Sequence, residues 1–165
     1  MWASRKWHPS IDSPKRHNRI SNHLNCNCSK DHARNARKKP VWVLGTGGAN
    51  SHLTMSQMED LTVSPAVRSG AAAFAEAGIT PADVDVLQLY DAFTITPILF
   101  LEDLGFCPKG EGGRFVSGGN IAPGGKYAVN TSGGGLSYNH PGMYGLLVLI
   151  EAIRQVRGEC DKRQV

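Results

Sequence analysis

Glycine is missing from the first 39 residues, and all 19 glycines of the chain lie after Leu44. Cysteine is scarce. Cys26, Cys28, Cys107 and Cys160 are too few and too scattered for a disulfide framework, so a reducing cytoplasm is the expected compartment. No apolar run approaches the roughly 18 residues that a membrane span needs, and "GLLVLIEAI" stops well short. The amino terminus carries no apolar signal-peptide core. Paired-carboxylate spacing is also missing: Glu102, Asp103 and Glu111 read as solvated charges.

Charge divides the chain where glycine does. Residues 1–39 hold ten Lys/Arg and two Asp/Glu, a net +8, whereas residues 40–165 hold eight and twelve, a net −4. The overall +4 therefore describes neither part, and the mildly acidic body argues against nucleic acid as its partner. The boundary falls near Lys39-Pro40. The head shows no helical or strand periodicity and reads as a basic, disordered segment. Its His23, Cys26, Cys28 and His32 are metal-ligating residue types, but Cys-x-Cys is not a usual zinc spacing, and no metal site is assigned. The run "HARNARKK" suits phosphate or anionic lipid as a chemical type and reads more simply as a solvated tail.

The body, residues 40–165, alternates strand and helix signals. "VWVL" (41–44), stopped by "GTGG", predicts a buried strand and a turn. Ser64 as N-cap, Pro65 in the first position and Gly78 after the end frame a helix. Its run Ala71–Ala73 makes it thin enough to lie close on a sheet. "TPAD" (80–83) predicts a capping box on one turn, and "VDVLQLY" (84–90) a central strand buried on both faces. Thr96 as cap, Pro97 in first position and Gly105 at the end frame the next helix. "FCPKGEGGRFVSGGNIAPGG" reads as loop, and "KYAVN" (126–130) as a short strand. A last helix, near Met143–Arg157, ends at Gly158, with Glu151, Arg154 and Arg157 marking its solvent side. This order predicts an α/β fold with helices packed on a parallel sheet, whose functional groups gather at the carboxyl ends of the strands.

Two strand ends stand out: Tyr90-Asp91-Ala92-Phe93, and Asn130 through His140. Three consecutive glycines, Gly133 to Gly135, stand between the last strand and the last helix. Glycines there let backbone N–H groups approach an anion without a Cβ in the way, and the helix adds partial positive charge. No Gly-Lys-Ser/Thr follows them, so an oxyanion suits the turn better than a phosphate. His140 stands before Pro141 at the helix start, where the dipole disfavours imidazolium. A neutral imidazole there can accept a proton or donate to an oxyanion, or it can simply cap the helix. It is the only histidine after His52, which favours the functional role. Tyr90 reads locally as a core-edge aromatic, Asp91 as a cap or turn residue, Cys107 as a small buried residue and Cys160 as a surface one.

"DVDVLQLYDAFTI", "LEDLGFCPKGEGG", "VNTSGGGLSYNHPGMYG" and "EAIRQVRGE…RQV" together resemble the carboxyl-terminal half of the thiolase superfamily, in particular sterol-carrier-protein-type thiolases of the lipid-transfer-protein branch. The resemblance runs from about Pro40 to Val165 and excludes the head. It implies one thiolase-like half, a mixed sheet covered by helices, out of a five-layer αβαβα fold. It implies an acyl-CoA C-acyltransferase that forms or thiolytically cleaves a carbon–carbon bond, with a coenzyme A thioester as substrate and no bound cofactor. The family's His-Pro-Gly histidine activates a nucleophilic cysteine and lines an oxyanion hole, a role that falls on His140. Tyr90 would line the pocket, and Gly133, Gly134, Asn139 and Gly142 would bind substrate.

Three departures qualify the resemblance. The family's nucleophilic cysteine belongs to the amino-terminal half, and neither Cys26 nor Cys28 sits in a matching motif. The strand-end motif His-Asp-Cys-Phe of related thiolases reads Tyr90-Asp91-Ala92-Phe93 here, and alanine moves no proton. The chain stops at "DKRQV", where family members continue, so a fragment is expected. An acyl-CoA or sterol-CoA type substrate follows, with a homodimer, a missing amino-terminal half or a small partner subunit as the protein partner. The tyrosine also resembles a branch of thiolase-like steroid side-chain retro-aldolases, in which it carries a proton. The third alternative is a non-catalytic half that binds acyl-CoA or only pairs with another subunit.

Overall fold

The computed structural model of the chain describes residues 2–4, 36–137 and 142–165. Its elements are β1 (Trp2–Ser4), α1 (Ala66–Ala77), β2 (Val86–Gln88), α2 (Ile95–Asp103), α3 (Gly112–Val116), β3 (Ala128–Val129) and α4 (Tyr144–Arg157). His23, Cys26, Cys28, His32, Asn139 and His140, all named above, lie outside the described residues.

The expected central strand is central. β2 pairs parallel to β3, with Val86 opposite Ala128 and Leu87 opposite Val129, and antiparallel to β1, with Leu87 opposite Ala3. Val86 through Leu89 are all buried, three of them apolar and the fourth Gln88. Successive side chains leave a strand on opposite faces. Leu87 and Leu89 therefore join Leu101, Leu104, Phe106 and Tyr127 in the main core, with Phe74 and Phe115 packed against it. Gln88 turns the other way, toward α4, and its Nε2 donates to Thr131 Oγ1 at 2.9 Å. α4 packs across β1 and β2, while α1 and α3 pack on α2. The molecule is thus a mixed sheet with helices on both faces, the α/β architecture the alternation predicts.

Several local expectations are revised. β1 comes from the head, where the lack of alternation predicts no strand. Three residues can pair on backbone groups alone, and the otherwise open edge of β2 offers those groups. Val41–Leu44 forms no strand: Trp42 and Val43 are exposed, and among the described residues no strand pairs with them. An apolar run becomes a strand only if an edge is in reach. The glycines after it serve close packing instead of a turn. A Cβ on Gly45 or Gly47 would overlap the Ala73 or Ser69 carbonyl oxygen, so this segment lies on the thin face of α1 that the sequence assigns to a sheet.

Gly78 does end α1, in the left-handed conformation at φ 66°, and Gly158 ends α4 likewise at φ 75°. The start of α1 is displaced by one residue. Pro65 holds the cap position, and Ser64 Oγ accepts the Ala66 N–H at 3.2 Å. α2 starts at Ile95, ahead of the expected Thr96 cap, so Pro97 lies within its first turn. There its missing N–H costs nothing. α3 arises within the stretch read as loop, where Glu102 accepts the N–H of Gly112 at 2.8 Å.

Glu102 and Asp103 are not the solvated charges that the sequence suggests. The Asp103 side chain is 0% exposed. Its Oδ2 accepts the Ser64 N–H at 2.8 Å and the Ser64 hydroxyl at 2.6 Å, and its Oδ1 meets Lys109 Nζ at 2.6 Å. The backbone N–H groups of Gly112 and then Gly110, with Lys109, hold the Glu102 carboxyl below its ordinary value against the effect of burial. These two neighbours clamp the start of α1 and the start of α3 to the end of α2. The assigned solvent side of α4 is revised as well: Glu151 is 4% exposed, whereas Leu146 and Ile150 face outward.

Candidate functional site

The carboxyl ends of β2 and β3 lie side by side, and the chain leaves both through polar residues. Beyond β3, Asn130 adopts φ 48°, a left-handed conformation that asparagine tolerates. Its N–H donates to Leu87 O at 2.9 Å, and its Oδ1 accepts the Leu89 N–H at 2.8 Å. The side chain thereby extends the parallel ladder by one rung. Thr131 Oγ1 accepts from Gln88 Nε2 at 2.9 Å and from Gln155 Nε2 at 3.0 Å, and donates to Glu151 Oε1 at 2.8 Å. Gly133 N–H closes a turn on Asn130 O at 2.8 Å.

Gly133 lies against Ser137, whereas the other two of the three glycines, Gly134 and Gly135, face Asp91. This carboxylate, 4% exposed, accepts the Gly135 N–H on Oδ1 at 2.9 Å and the Leu136 N–H on Oδ2 at 3.2 Å. The Gly135 N–H also points at Tyr144 Oη, at 2.7 Å. Gly134 sits at φ 72°, and a Cβ there would overlap Asp91 Oδ2. The glycines therefore answer a steric demand from inside the protein. At Gly135 and Leu136 the N–H groups are already taken by Asp91.

Tyr90 follows β2 and is half-buried. Its ring meets the Tyr144 ring edge-on, with centroids 4.9 Å apart and planes at 76°. Tyr144, the first residue of α4, is buried beneath the turn. Tyr144 thus links Tyr90 to the glycine turn, in which Gly133 lies against Ser137 and Gly134 against Asp91. Gly142 lies two residues before Tyr144, exposed, with open space where a Cβ would point. Asn139 and His140 belong to the intervening segment that is not described. Around the cluster, Phe93, Leu136 and Met143 are exposed large apolar side chains.

The reading from sequence missed Tyr144 and the Thr131–Glu151 pair, and it took Asp91 for a cap or turn residue without its partners in the glycine turn. A carboxylate directly after a buried strand was the available signal for Asp91. Glu151 gave a misleading one, since a charge late in an amphipathic helix ordinarily faces water. Burial acts to raise the Glu151 carboxyl, but hydrogen bonds from Thr131, Arg163 and Gln155, with the Arg163 charge, hold it below its ordinary value.

Cys160 is corrected from surface to core, at 0% exposure. Burial, and then the Glu151 carboxylate 3.6 Å from Sγ, push its thiol up. Burial, and then Glu102 and Glu111, push the Cys107 thiol up. Neither described thiol is therefore a ready nucleophile. Among the described residues no group of three or more His, Cys, Asp or Glu is placed to hold a metal ion, and no helix is long and apolar enough to cross a membrane.

The family model for thiolase C-terminal domain-like proteins matches residues 47–165. The chain is 39% identical over 140 residues to an acetyl-CoA acetyltransferase of Methanothermobacter thermautotrophicus, covering 84% of this chain and 37% of that protein. It is 46% identical over 93 residues to the benzoylsuccinyl-CoA thiolase subunit BbsB of Thauera aromatica, covering 56% and 24% of the respective chains. It is 44% identical over 93 residues to sterol carrier protein 2 of Homo sapiens, covering 56% and 17%. Among solved structures, the Ltp2-ChsH2(DUF35) aldolase superposes with a TM-score of 0.72 at 31% identity, covering 81% of this chain and 36% of that one. The chain thus spans 37% or less of the length of each of these relatives.

Proposed function

This chain belongs to the thiolase C-terminal domain-like family, and we propose on that premise that it serves as the carboxyl-terminal half of a thiolase-like acyl-CoA C-acyltransferase. Its substrate is a coenzyme A thioester, and the reaction forms or thiolytically cleaves a carbon–carbon bond. The observation that supports this reading is the link at the carboxyl ends of two parallel strands, where α/β sheets receive ligands: Tyr90 packs on Tyr144, whose hydroxyl meets the Gly135 N–H of the glycine turn. His140 supplies the base or the oxyanion donor, and Asn139, Gly133, Gly134 and Gly142 line the thioester's path. The nucleophile comes from a partner half, since burial keeps Cys107 and Cys160 protonated. A thiolase that is itself named as a subunit stands among the relatives, which supports such pairing.

One test is thiolysis of acetoacetyl-CoA with free CoA. The 165-residue chain alone is expected to show none, and robust turnover by it would overturn this division of labour. A second test is direct. Acetyl-CoA added to the isotope-labelled chain is expected to shift amide resonances in the Asn130–Ser137 turn, and no shift at millimolar ligand would remove the acyl-CoA reading.

A second chemistry is favoured by one specific observation, the structural likeness to an aldolase together with a tyrosine at the end of β2. There Tyr90 carries the proton in retro-aldol cleavage of a β-hydroxyacyl-CoA. In the assembled enzyme Tyr90→Phe and His140→Ala separate the two, since loss of acid–base help costs about 10²–10⁴-fold in rate. If only the histidine change is costly, the aldolase chemistry fails.

A further inference from the structure

Backbone N–H groups that converge in a turn form a concavity that binds anions. The turn after β3 is built in this way. Gly133 and Gly134 have φ of 100° and 72°, and the next two N–H groups, of Gly135 and Leu136, point at the two oxygens of one carboxylate. At the end of parallel strands that place is where a ligand's anion would be received. The Asp91 carboxylate is there instead.

We propose that Asp91 is the positioning residue of the glycine turn: its carboxylate is a built-in anion that fills the concavity and sets the turn's conformation. Each of its oxygens takes a different N–H, so the carboxylate fixes two adjacent peptide planes at once. The contact spans 44 residues of chain and joins the end of β2 to the turn after β3. The fit also leaves no slack. A Cβ at Gly134 would overlap Oδ2, and one at Gly135 would stand 3.2 Å from Oδ1 and 3.3 Å from Tyr144 Cζ. Glycine at these positions is therefore matched to an anion held by the chain itself. The thioester carbonyl is not received by Gly135 or Leu136. The turn is held in place by Asp91 so that its outer side, beside Tyr90, can meet the acyl group. That last clause rests on the acyl-CoA reading above, whereas the anion-filled turn does not.

The experiment uses nitrogen–proton spectra of the full chain as wild type, Asp91→Ala and Asp91→Asn. In Asp91→Ala the Gly135 and Leu136 amide resonances are expected to move while those of Leu87 and Val129 stay. Sodium acetate, and not sodium chloride at equal ionic strength, is expected to return both, because acetate supplies the missing carboxylate. Resonances that never move, or that acetate restores no better than chloride, would overturn the proposal.

Asp91→Asn guards against loss of folding in the alanine variant. It keeps the shape and one acceptor oxygen, so the two amides are expected to shift unequally, and two unshifted amides would again overturn the proposal. Acetyl-CoA separates this inference from the functional reading. Its affinity is expected to fall about tenfold or more in Asp91→Ala and to recover with acetate. Acetate rescue without any acetyl-CoA binding leaves the positioning role standing and removes the acyl-CoA reading. Equal binding by wild type and Asp91→Ala does the reverse to the coupling between them.

Discussion

Thr131 Oγ1 donates to Glu151 Oε1 at 2.8 Å, tying the first residues of the glycine turn to the buried side of α4. Glu151 also meets Arg163 Nη2 at 3.4 Å, and Gln155 Nε2 reaches the Arg163 carbonyl at 2.7 Å. The carboxyl-terminal residues thereby lock onto the helix that supports the site. Thr131→Val keeps the shape but removes the one atom that both accepts from two amides and donates to a carboxylate. It is expected to destabilise by about 2–4 kcal/mol, as buried partners lose their bonds. Urea unfolding followed by circular dichroism measures this, and a loss below about 0.5 kcal/mol would show that the network contributes little.

The same carboxylate makes stability depend on acid. Glu151 and Glu102 are both held below their ordinary value of 4.5 in the folded protein. A depressed folded value contributes stability that is fully present above the unfolded value and is lost as pH falls through the folded one. Stability is therefore expected to be flat above about pH 5.5 and to decline as pH drops below 4.5. Glu151→Gln is expected to make that decline shallower while lowering stability at neutral pH. Urea midpoints across pH 3–7 test this, and a decline of unchanged steepness in the variant would rule out Glu151 as a source.

Gly134→Ala combines two penalties, a left-handed backbone and overlap with Asp91. The backbone alone costs alanine about 1–2 kcal/mol. The variant is expected to lose more than that in wild type, and close to that figure when Asp91 is also alanine. The coupling between the two sites is measured by a double-mutant cycle. Additive losses would mean that the overlap is relieved elsewhere.

Lys109 and Asp103 offer a test of the clamp beneath α1 and α3. Burial opposes the Lys109 charge, yet Asp103 and Glu102 hold its ammonium above its ordinary value. Asp103 is fully buried and Lys109 is not, so the bonds at stake in Asp103 are chiefly those to Ser64. Asp103→Ala is expected to cost about 1–3 kcal/mol, because the Ser64 N–H and hydroxyl lose their acceptor while Lys109 keeps Glu102. Lys109→Met is expected to cost less, since that side chain is partly exposed. Equal losses would show that the Ser64 contact contributes nothing of its own.

The buried thiols give a chemical test. In a Cys26→Ser, Cys28→Ser background, a thiol reagent is expected to label neither Cys107 nor Cys160 within minutes at pH 8, and both in urea. Burial raises both thiols, so little thiolate forms and little of it is accessible. Fast native labelling of either would reopen the possibility of a nucleophile within this half.

Much of the secondary structure is legible because its signals are local. Gly78 and Gly158 end their helices by a backbone conformation that belongs to one residue, and the buried strand is announced by the apolar Val84, Val86, Leu87 and Leu89. Val41–Leu44 misleads because an apolar run specifies burial without specifying a pairing edge. Glu151 and Asp103 mislead for the opposite reason. A carboxylate signals water until a threonine, a serine or a lysine from elsewhere in the chain satisfies it.

The sequence by itself determined the alternation of helices with a central strand, the helix stops and the family-like pattern around Tyr90 and Gly133–Gly135. The alternation and the helix stops are carried by spacing or by a single residue's backbone preference, and the last by a resemblance of motifs. Only the tertiary structure decided what the glycines serve. Asp91 and Gly135 are 44 residues apart, and their contact exists because β2 and β3 run parallel and end together. A long-range hydrogen bond to a backbone N–H leaves no mark on local composition, so it appears only once the strands are paired.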